Sequence, residues 1–156
     1  EVSATVDERN HLEKSTLAAC KYLKAQREKF GSWALAAAAY NMGPTALMKA
    51  MAEQKESSYY DLNVSEETNR YVFRIVALKE IMKNPEKFGF YILKNELYPP
   101  MNEYKLIDVD TTITNLADFA HQNNMTYRHL KLFNPWLLKS ELPNPGRKVY
   151  SIKVIN

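Results

Sequence analysis

The sequence has few of the residues on which several classes of protein depend. Its 156 residues include one cysteine, four glycines and three histidines. The single cysteine, Cys20, excludes an internal disulfide, and the histidines are too scattered for a metal site, so we expect no metal and no cofactor. Cys20 has helical spacing to Thr16 and Leu23, which predicts a small buried apolar residue. The longest run of low polarity, Ala34 to Tyr40, is far too short to cross a bilayer.

The charge is small and unevenly distributed along the chain. Residues 1–103 contain 14 Lys plus Arg and 14 Asp plus Glu, whereas residues 104–156 contain 7 and 4. The second stretch therefore carries the whole net charge of +3, which indicates two units. Nucleic-acid binding usually needs a clustered basic face, so we expect no nucleic-acid partner.

Residues 1–90 read mainly as helices. Amphipathic spacing predicts a first helix from Glu13 to Phe30, ended by Gly31. Ser32 caps an alanine-rich second helix, whose small side chains allow close packing in the middle of a bundle. A third helix is predicted from Pro44 to about Gln54, and a fourth from near Ser65 to Asn84.

The remaining residues read as a connector and a small mixed module. Residues 91–103 are predicted to be a linker, with Pro99 and Pro100 as its stiff part. From Tyr104 the order becomes β-α-α-β, with strands over 104–109 and 149–154 and short helices around Leu116 and Leu130. The predicted fold class is therefore mostly α, a partial helical domain followed by a small β-α-α-β module over 104–156. So small a module has a marginal core and is expected to lean on its neighbour.

Three ordered motifs within residues 2–90 resemble a known family. Residues 39–43 read AYNMG, similar to the AYNxG motif of the soluble lytic transglycosylase and goose-type lysozyme family. Upstream, residues 6–9 read VDER and are followed by an ST pair and a YL pair, and downstream residues 67–72 read ETNRYV. Both stretches resemble the membrane-bound lytic murein transglycosylases of that family. The resemblance implies that residues 1–90 are the C-terminal part of a lysozyme-like domain.

Residues 104–156 are similar to a LysM module, a small peptidoglycan-binding fold. Asp110 and Thr111 stand at its Gly-Asp-Thr turn, with Val109 in place of the glycine. Residues 132–135 read LFNP, similar to the LNP end of the module. Two roles stay open for this module, which are binding to glycan and packing on the enzyme.

The resemblance implies cleavage between MurNAc and GlcNAc by one glutamate. This residue protonates the glycosidic oxygen and then acts as base on the sugar's own 6-hydroxyl, which gives a 1,6-anhydro product. In the family the glutamate lies in an ES pair before a GLWQ-like segment, and both precede the region that begins here. We therefore expect no catalytic residue in this chain, a general acid before residue 1, and no activity of the chain alone. Glu56 and Ser57 form an ES pair, but they follow Tyr40 and Asn41, which is the wrong order.

The residues carried over from the family have supporting roles in the cleft. The resemblance implies substrate binding by Tyr40, Asn41, Gly43, Glu67 and Tyr71. Asn41 offers a donor and an acceptor to an N-acetyl group, and Gly43 allows close backbone approach at the helix end. Tyr40 and Tyr71 are either cleft residues or core aromatics with satisfied hydroxyls. Glu67 either supports the chemistry or is a carboxylate favoured by the helix dipole.

The aromatic pair Tyr59 and Tyr60 has two interpretations, a sugar-stacking platform or a loop anchor.

The implied partners of the protein are peptidoglycan glycan strands, in the periplasm or the outer-membrane-associated envelope of a bacterium. Alternatives are a non-catalytic cell-wall binding protein and an assembly role. With half of the helical domain missing, the helix over Ala34–Tyr40 and its neighbours would expose apolar surface, which predicts self-association.

Overall fold

The computed structural model describes residues 1–98 and 103–155. Its helices and strands, in chain order, are α1 (Leu12–Phe30), α2 (Trp33–Met42), α3 (Pro44–Gln54), α4 (Glu66–Lys83), β1 (Tyr104–Val109), α5 (Leu116–Gln122), α6 (Tyr127–Phe133) and β2 (Tyr150–Ile155). This confirms the mostly α fold class with a small two-stranded module, and every predicted helix is present. The predicted strand over 149–154 is displaced by one residue. Pro99 and Pro100 lie outside the described residues.

The chain divides into two compact units. One consists of Glu1–Leu17 and Tyr98–Asn156, and the other is Ala18–Leu97. The sequence placed residues 1–17 with the helices, whereas the structure groups them with the C-terminal module. The reason is the extended segment before α1, whose apolar Val6 pairs with Leu137 of the module.

The alanine-rich α2 lies at the centre of the helical unit, as its small side chains predicted. The Ser32 hydroxyl caps it by accepting a hydrogen bond from the Leu35 N–H at 3.2 Å. The fully buried residues of α2 are Leu35, Ala36, Ala38 and Ala39. Three of them, Leu35, Ala38 and Ala39, pack with Leu47 of α3 and with Tyr59 and Leu62 of the following loop. The core of this unit is therefore small and is built around one helix.

Helices α1 and α4 are much more exposed than α2. No residue of α1 is buried, and Leu17 keeps 67% of its surface accessible. Cys20 is exposed, so the prediction that it is buried is wrong. Helical spacing identified the face on which Cys20 lies, but spacing does not show whether another element covers that face.

The C-terminal module joins its two strands in an antiparallel pair. The register runs from Tyr104 opposite Ile155 to Val109 opposite Tyr150. Helices α5 and α6 cover the pair, and the core consists chiefly of Leu116, Leu130, Leu142, Ile152 and Val154. Val6 of the N-terminal segment belongs to the same core and is 1% exposed.

Asn134, in the stretch at the end of α6 that is similar to LNP, is a buried polar residue of this module. It is fully buried, and its amide nitrogen donates to the Leu130 and Lys153 carbonyls at 2.9 and 2.7 Å. Its side-chain oxygen accepts from the Lys153 N–H at 2.8 Å. The Asn134 side chain therefore supplies a hydrogen-bond donor to a carbonyl at the end of α6 and joins this end to β2. An apolar side chain could make neither bond.

None of the helices in the described ranges combines the length and apolarity needed to span a membrane.

Candidate functional site

The main feature of the helical unit is an apolar groove of about 580 Å³ between α1, α2 and α4. Its lining residues are Ala19, Leu23, Trp33, Ala34, Ala37, Tyr40, Tyr60, Tyr71, Val72, Ile75 and Val76. Four of these are aromatic, and the rest are aliphatic. Such a surface stacks against the apolar faces of a ring and leaves the aromatic hydroxyls for hydrogen bonds.

The structure brings two predicted site residues, Tyr40 and Tyr71, to this groove. Tyr40 lies in the last turn of α2 and is 46% exposed, so it is not a core aromatic. Its ring packs edge to face against Tyr22 of α1, with centroids 5.8 Å apart. Tyr71 of α4 is half-buried. The two tyrosines thus come from helices that pack against each other, α2 and α4.

Asn41 and Glu67, two further predicted residues, are in direct contact. The Asn41 amide nitrogen donates to a carboxylate oxygen of Glu67 at 3.0 Å. The Asn41 side-chain oxygen accepts from the Thr68 hydroxyl at 2.7 Å. Thr68 is 1% exposed, whereas Glu67 is exposed and Asn41 is half-buried. The end of α2 is therefore joined to the first turn of α4 by side-chain hydrogen bonds.

Glu67 does not line the groove, but it lies on the same face of α4 as residues that do. Residues four apart stack on a helix, and Glu67, Tyr71 and Ile75 are spaced in this way. Tyr71 and Ile75 line the groove. The Asn41–Glu67 pair consequently continues the groove face toward the N-terminal end of α4 and adds a polar end to an apolar surface.

Gly43 separates α2 from α3. Its φ of 89° lies in a region that residues with a Cβ rarely adopt, which explains the glycine. The positive φ alone already favours glycine here. Within the described residues, the space beside Gly43 is open, and the expected approach of a ligand to this position stays a prediction.

The two residues of the aromatic pair Tyr59 and Tyr60 have different surroundings, and each fits a different one of the two interpretations. Tyr59 is 4% exposed, and its hydroxyl donates to the carbonyls of Thr68 and Asn69 at 2.6 and 2.8 Å. It is a loop anchor, and burial raises the pKa of Tyr59 above its ordinary value. Tyr60 is 66% exposed, lines the groove and packs edge to face on Phe73. Tyr60 is the member of the pair that is available to a ligand.

The lining of the groove contains no carboxylate. Glu56 and Ser57 are exposed residues just after α3, outside the lining. Glu67 lies one helical turn from the lining residue Tyr71, and its carboxylate is held by Asn41. The residues that line the groove therefore do not include an acid that could protonate a bound ligand.

Sequence reasoning missed two residues of this site. Trp33 lines the groove and is 58% exposed, and it follows the Gly31 and Ser32 positions that were used only to place helix ends. Thr68 holds the Asn41 amide, and it was visible as the second letter of the ETNRYV stretch. The motif that contains Thr68 indicated no role for its side chain, and Trp33 stands outside the motifs described above.

A second cavity of about 330 Å³ lies in the unit that contains the C-terminal module. Trp136, His11, Glu13 and Lys153 are among its lining residues. His11 stacks on Trp136 at 6.0 Å, and its Nδ1 lies 3.2 Å from Glu13, which also pairs with Lys153. Burial lowers the pKa of His11 and favours its neutral form. The sequence did not foresee this cluster, because its members are far apart in the chain.

No group of three or more His, Cys, Asp or Glu side chains suited to a metal ion occurs among residues 1–98 and 103–155.

Two family models match separate parts of the chain. Residues 1–63 match the transglycosylase SLT domain, and residues 105–155 match the soluble lytic transglycosylase C-terminal LysM-like domain. The first match includes the AYNMG motif with Tyr40 and Asn41. The second corresponds to the β-α-α-β module, so both predicted resemblances are confirmed.

Curated relatives agree with these matches. The chain is 28% identical over 145 residues to membrane-bound lytic murein transglycosylase D of Escherichia coli strain K12, and equally to the protein of that name from Escherichia coli O6:H1. The alignment covers 90% of this chain and 31% of each relative. The chain thus spans about a third of the length of the curated relatives it matches.

The two family matches follow each other along the chain, the first ending before the small module and the second covering it. Residues 1–63 are therefore similar to a transglycosylase domain, and residues 105–155 are similar to the C-terminal LysM-like domain of soluble lytic transglycosylases.

Proposed function

We propose that the helical unit supplies one wall of the glycan-binding cleft of a peptidoglycan lytic transglycosylase. The observation that carries this proposal is the groove, in which Trp33, Tyr40, Tyr60 and Tyr71 form an aromatic surface beside the Asn41–Glu67 pair. The relatives' name, which describes murein transglycosylases, supports the same substrate class. The substrate-binding residues proposed are Tyr40, Asn41, Glu67 and Tyr71, with Gly43 shaping the turn that follows Asn41.

The reaction proposed is cleavage of the β-1,4 bond between MurNAc and GlcNAc with formation of 1,6-anhydro-MurNAc. Its general acid must be a carboxyl group kept protonated at neutral pH by an apolar, partly dry surrounding. The apolar groove provides such a surrounding, but it lacks a carboxylate of its own. We infer that the acid comes from outside the residues of this groove, and that this chain alone binds glycan without cleaving it.

Binding is tested with chitotetraose, a soluble β-1,4-linked oligomer of GlcNAc, followed by NMR titration of the chain. Chemical-shift changes should cluster at Trp33, Tyr40 and Tyr71. Substitution Tyr40→Ala should weaken binding about tenfold, since one aromatic contact is worth about 1 kcal/mol or somewhat more. Tyr91→Ala is the matched control, because Tyr91 is 77% exposed and lies outside the lining. Equal affinities of the two variants would remove the groove from the proposal.

Turnover is tested by incubating the chain with purified murein sacculi and analysing soluble products by mass spectrometry. We expect no anhydro-muropeptides. Release of these products at the rate of a complete transglycosylase would show that an acid lies within this chain. Glu67→Gln and Glu56→Gln would then identify it, because each removes one candidate carboxyl group.

A second function, non-catalytic peptidoglycan binding, is favoured by the absence of a carboxylate from the groove lining. Two measurements together distinguish the two functions. One is sedimentation with sacculi, and the other is the length and turnover of the gene product as its bacterium expresses it. Binding without turnover by a natural product of this length supports the non-catalytic function. Turnover by a longer natural product supports the enzyme.

The cellular site proposed is the bacterial envelope, on the periplasmic side, where murein is found. The membrane-bound name of the relatives supports this site. The LysM-like module is proposed to contact the same polymer or to pack within the protein. Fractionation of the source bacterium, with detection by an antibody against this chain, tests the location. Recovery in the cytoplasmic fraction would contradict it.

A further inference from the structure

The hydrogen bonds around Thr68 have a direction that the chemistry of the groups determines. An amide oxygen only accepts, so the Thr68 hydroxyl must donate to the Asn41 side-chain oxygen, from which it is separated by 2.7 Å. Thr68 has a single hydroxyl proton, and this bond uses it. The Ser65 hydroxyl, 2.9 Å from that of Thr68, must therefore be the donor in the contact between the two hydroxyls. The bonds run in one direction, from Ser65 through Thr68 to Asn41.

The Glu67 carboxylate fixes the orientation of the Asn41 amide on which this direction depends. With its oxygen on Thr68, its nitrogen faces Glu67 and donates to the carboxylate at 3.0 Å. In the flipped amide, the oxygen would face the Glu67 carboxylate, and two acceptors would repel each other. The Glu67 carboxylate, which only accepts, therefore selects this orientation, and the Thr68 hydroxyl completes it by donating to the amide oxygen on the other side.

Thr68 is itself held firmly. It is 1% exposed, its N–H donates to the Ser65 hydroxyl at 3.3 Å, and its carbonyl accepts from the buried Tyr59 hydroxyl at 2.6 Å. Ser65 is the N-cap of α4, so these bonds belong to the start of the helix. A residue fixed by its backbone, its cap and a buried tyrosine can hold a neighbouring amide in one place.

We propose that Thr68 is a positioning residue for the glycan site, acting through Asn41 and Glu67. It fixes the amide so that Asn41 presents its second N–H, and Glu67 its second oxygen, side by side at the end of the groove. These two atoms make no hydrogen bond within the described part of the chain. An acetamido group, which has one C=O acceptor and one N–H donor, matches this pair. The inference rests on the proposed function, and what it adds is the positioning role of Thr68.

The test uses Thr68→Val, which removes the hydroxyl and keeps the size, and Thr68→Ser, which keeps the hydroxyl. The side-chain amide protons of Asn41 are followed by ¹H–¹⁵N NMR in each variant. In the unmodified chain and in Thr68→Ser, the two protons should have well-separated shifts, since one of them is bonded to a carboxylate. In Thr68→Val, the shifts should converge on those of a solvated asparagine. Thr114→Val, at an exposed threonine of the other unit, is the control and should change nothing.

Chitotetraose affinity is the second readout. Thr68→Val should weaken it about fivefold to tenfold, as expected for losing one charge-assisted or oriented hydrogen bond, while Thr68→Ser stays near the unmodified value. A purely structural role would lower the unfolding midpoint without changing the Asn41 resonances of the folded protein. If Thr68→Val does not fold, Thr68→Ala replaces it, because it removes the hydroxyl without placing an added methyl against Asn41.

Unchanged Asn41 resonances and unchanged affinity in a folded Thr68→Val variant would overturn the proposal. Failure of the proposed function has a different signature. In that case the unmodified chain does not bind chitotetraose at all, while the Asn41 resonances still respond to Thr68→Val.

Discussion

The backbone N–H of Asp7 donates a hydrogen bond to the carbonyl of Trp136 at 2.9 Å. Two residues further along, the Leu138 N–H donates to the Thr5 carbonyl at 2.8 Å. These bonds pair the N-terminal segment with the loop between α6 and β2 in the manner of two short antiparallel strands. Val6 lies between them and points into the core of the C-terminal module. The segment is therefore part of the fold of this unit.

Truncating Val6 should destabilise the unit that contains the module. Val6 is 1% exposed, and Val6→Ala removes two buried methyl groups, so we expect a loss of about 1–3 kcal/mol. The measurement is urea unfolding followed by Trp136 fluorescence, in a Trp33→Phe background so that a single tryptophan reports. Val2→Ala is the control, because Val2 is 61% exposed. Equal midpoints for the two variants would show that the segment is not docked in solution.

The same segment should make stability depend on acid pH through Glu8. The Lys14 ammonium, with the N-terminal amine as second cause, lowers the pKa of Glu8 from 4.5 to about 2. A depressed folded-state pKa stabilises the fold fully above the unfolded value, so this contribution is present above about pH 4.5 and disappears as the pH falls to about 2. Carbon-13 NMR titration of the Glu8 carboxyl checks the midpoint, which should rise in Lys14→Met.

Unfolding experiments provide the control for Glu8. The stability difference between the unmodified chain and Glu8→Gln should be larger at neutral pH and should shrink as the pH falls toward 2, where the Glu8 carboxyl takes up its proton. Glu86→Gln, which changes an exposed carboxylate of the other unit in the same way, is the control variant. A pH-independent difference for Glu8→Gln would contradict the assignment.

The helices were predictable because their ends have local causes. Ser32, Pro44 and Ser65 mark helix starts through capping and fixed φ, and the structure places them as expected. Burial was not predictable for Cys20, because the face of a helix is a local property and its covering is a tertiary one. The docking of Val6 was also missed, since a short extended segment has no periodicity from which to infer a distant partner.

The candidate site was predictable at the level of motifs. Tyr40 and Tyr71 come to one groove, and Asn41 meets Glu67, residues that are 26 positions apart. The sequence did not show that the Asn41 amide is already engaged by two neighbours, or that Thr68 is one of them. Such contacts depend on the packing of α2 against α4, which neither motif encodes alone. Whether these residues bind glycan stays a prediction.

The Tyr59 hydroxyl should contribute measurably to the stability of the helical unit. It is buried and donates to two carbonyls in the first turn of α4, so Tyr59→Phe leaves them with one donor fewer. We expect a loss of about 1–2 kcal/mol in urea unfolding followed by far-ultraviolet circular dichroism. Tyr60→Phe is the matched control, since Tyr60 is 66% exposed, and it should be neutral. A neutral Tyr59→Phe would mean that the loop is not anchored through this hydroxyl.

The exposed apolar face of α4 should cause self-association of this chain. Its large exposed residues are Phe73, Ile75, Val76, Leu78 and Met82, with accessible fractions between 49% and 74%. Large apolar side chains exposed in this number usually mark an interaction surface. Sedimentation velocity should therefore show a concentration-dependent increase in mean mass, measured with a reducing agent because Cys20 is exposed. Leu78→Glu should shift the distribution toward monomer, because it places a charge in the apolar face. Lys79→Glu, an exposed polar position on the same helix, should not have this effect. A chain that stays monomeric over the whole concentration range would show that this face does not drive association between copies.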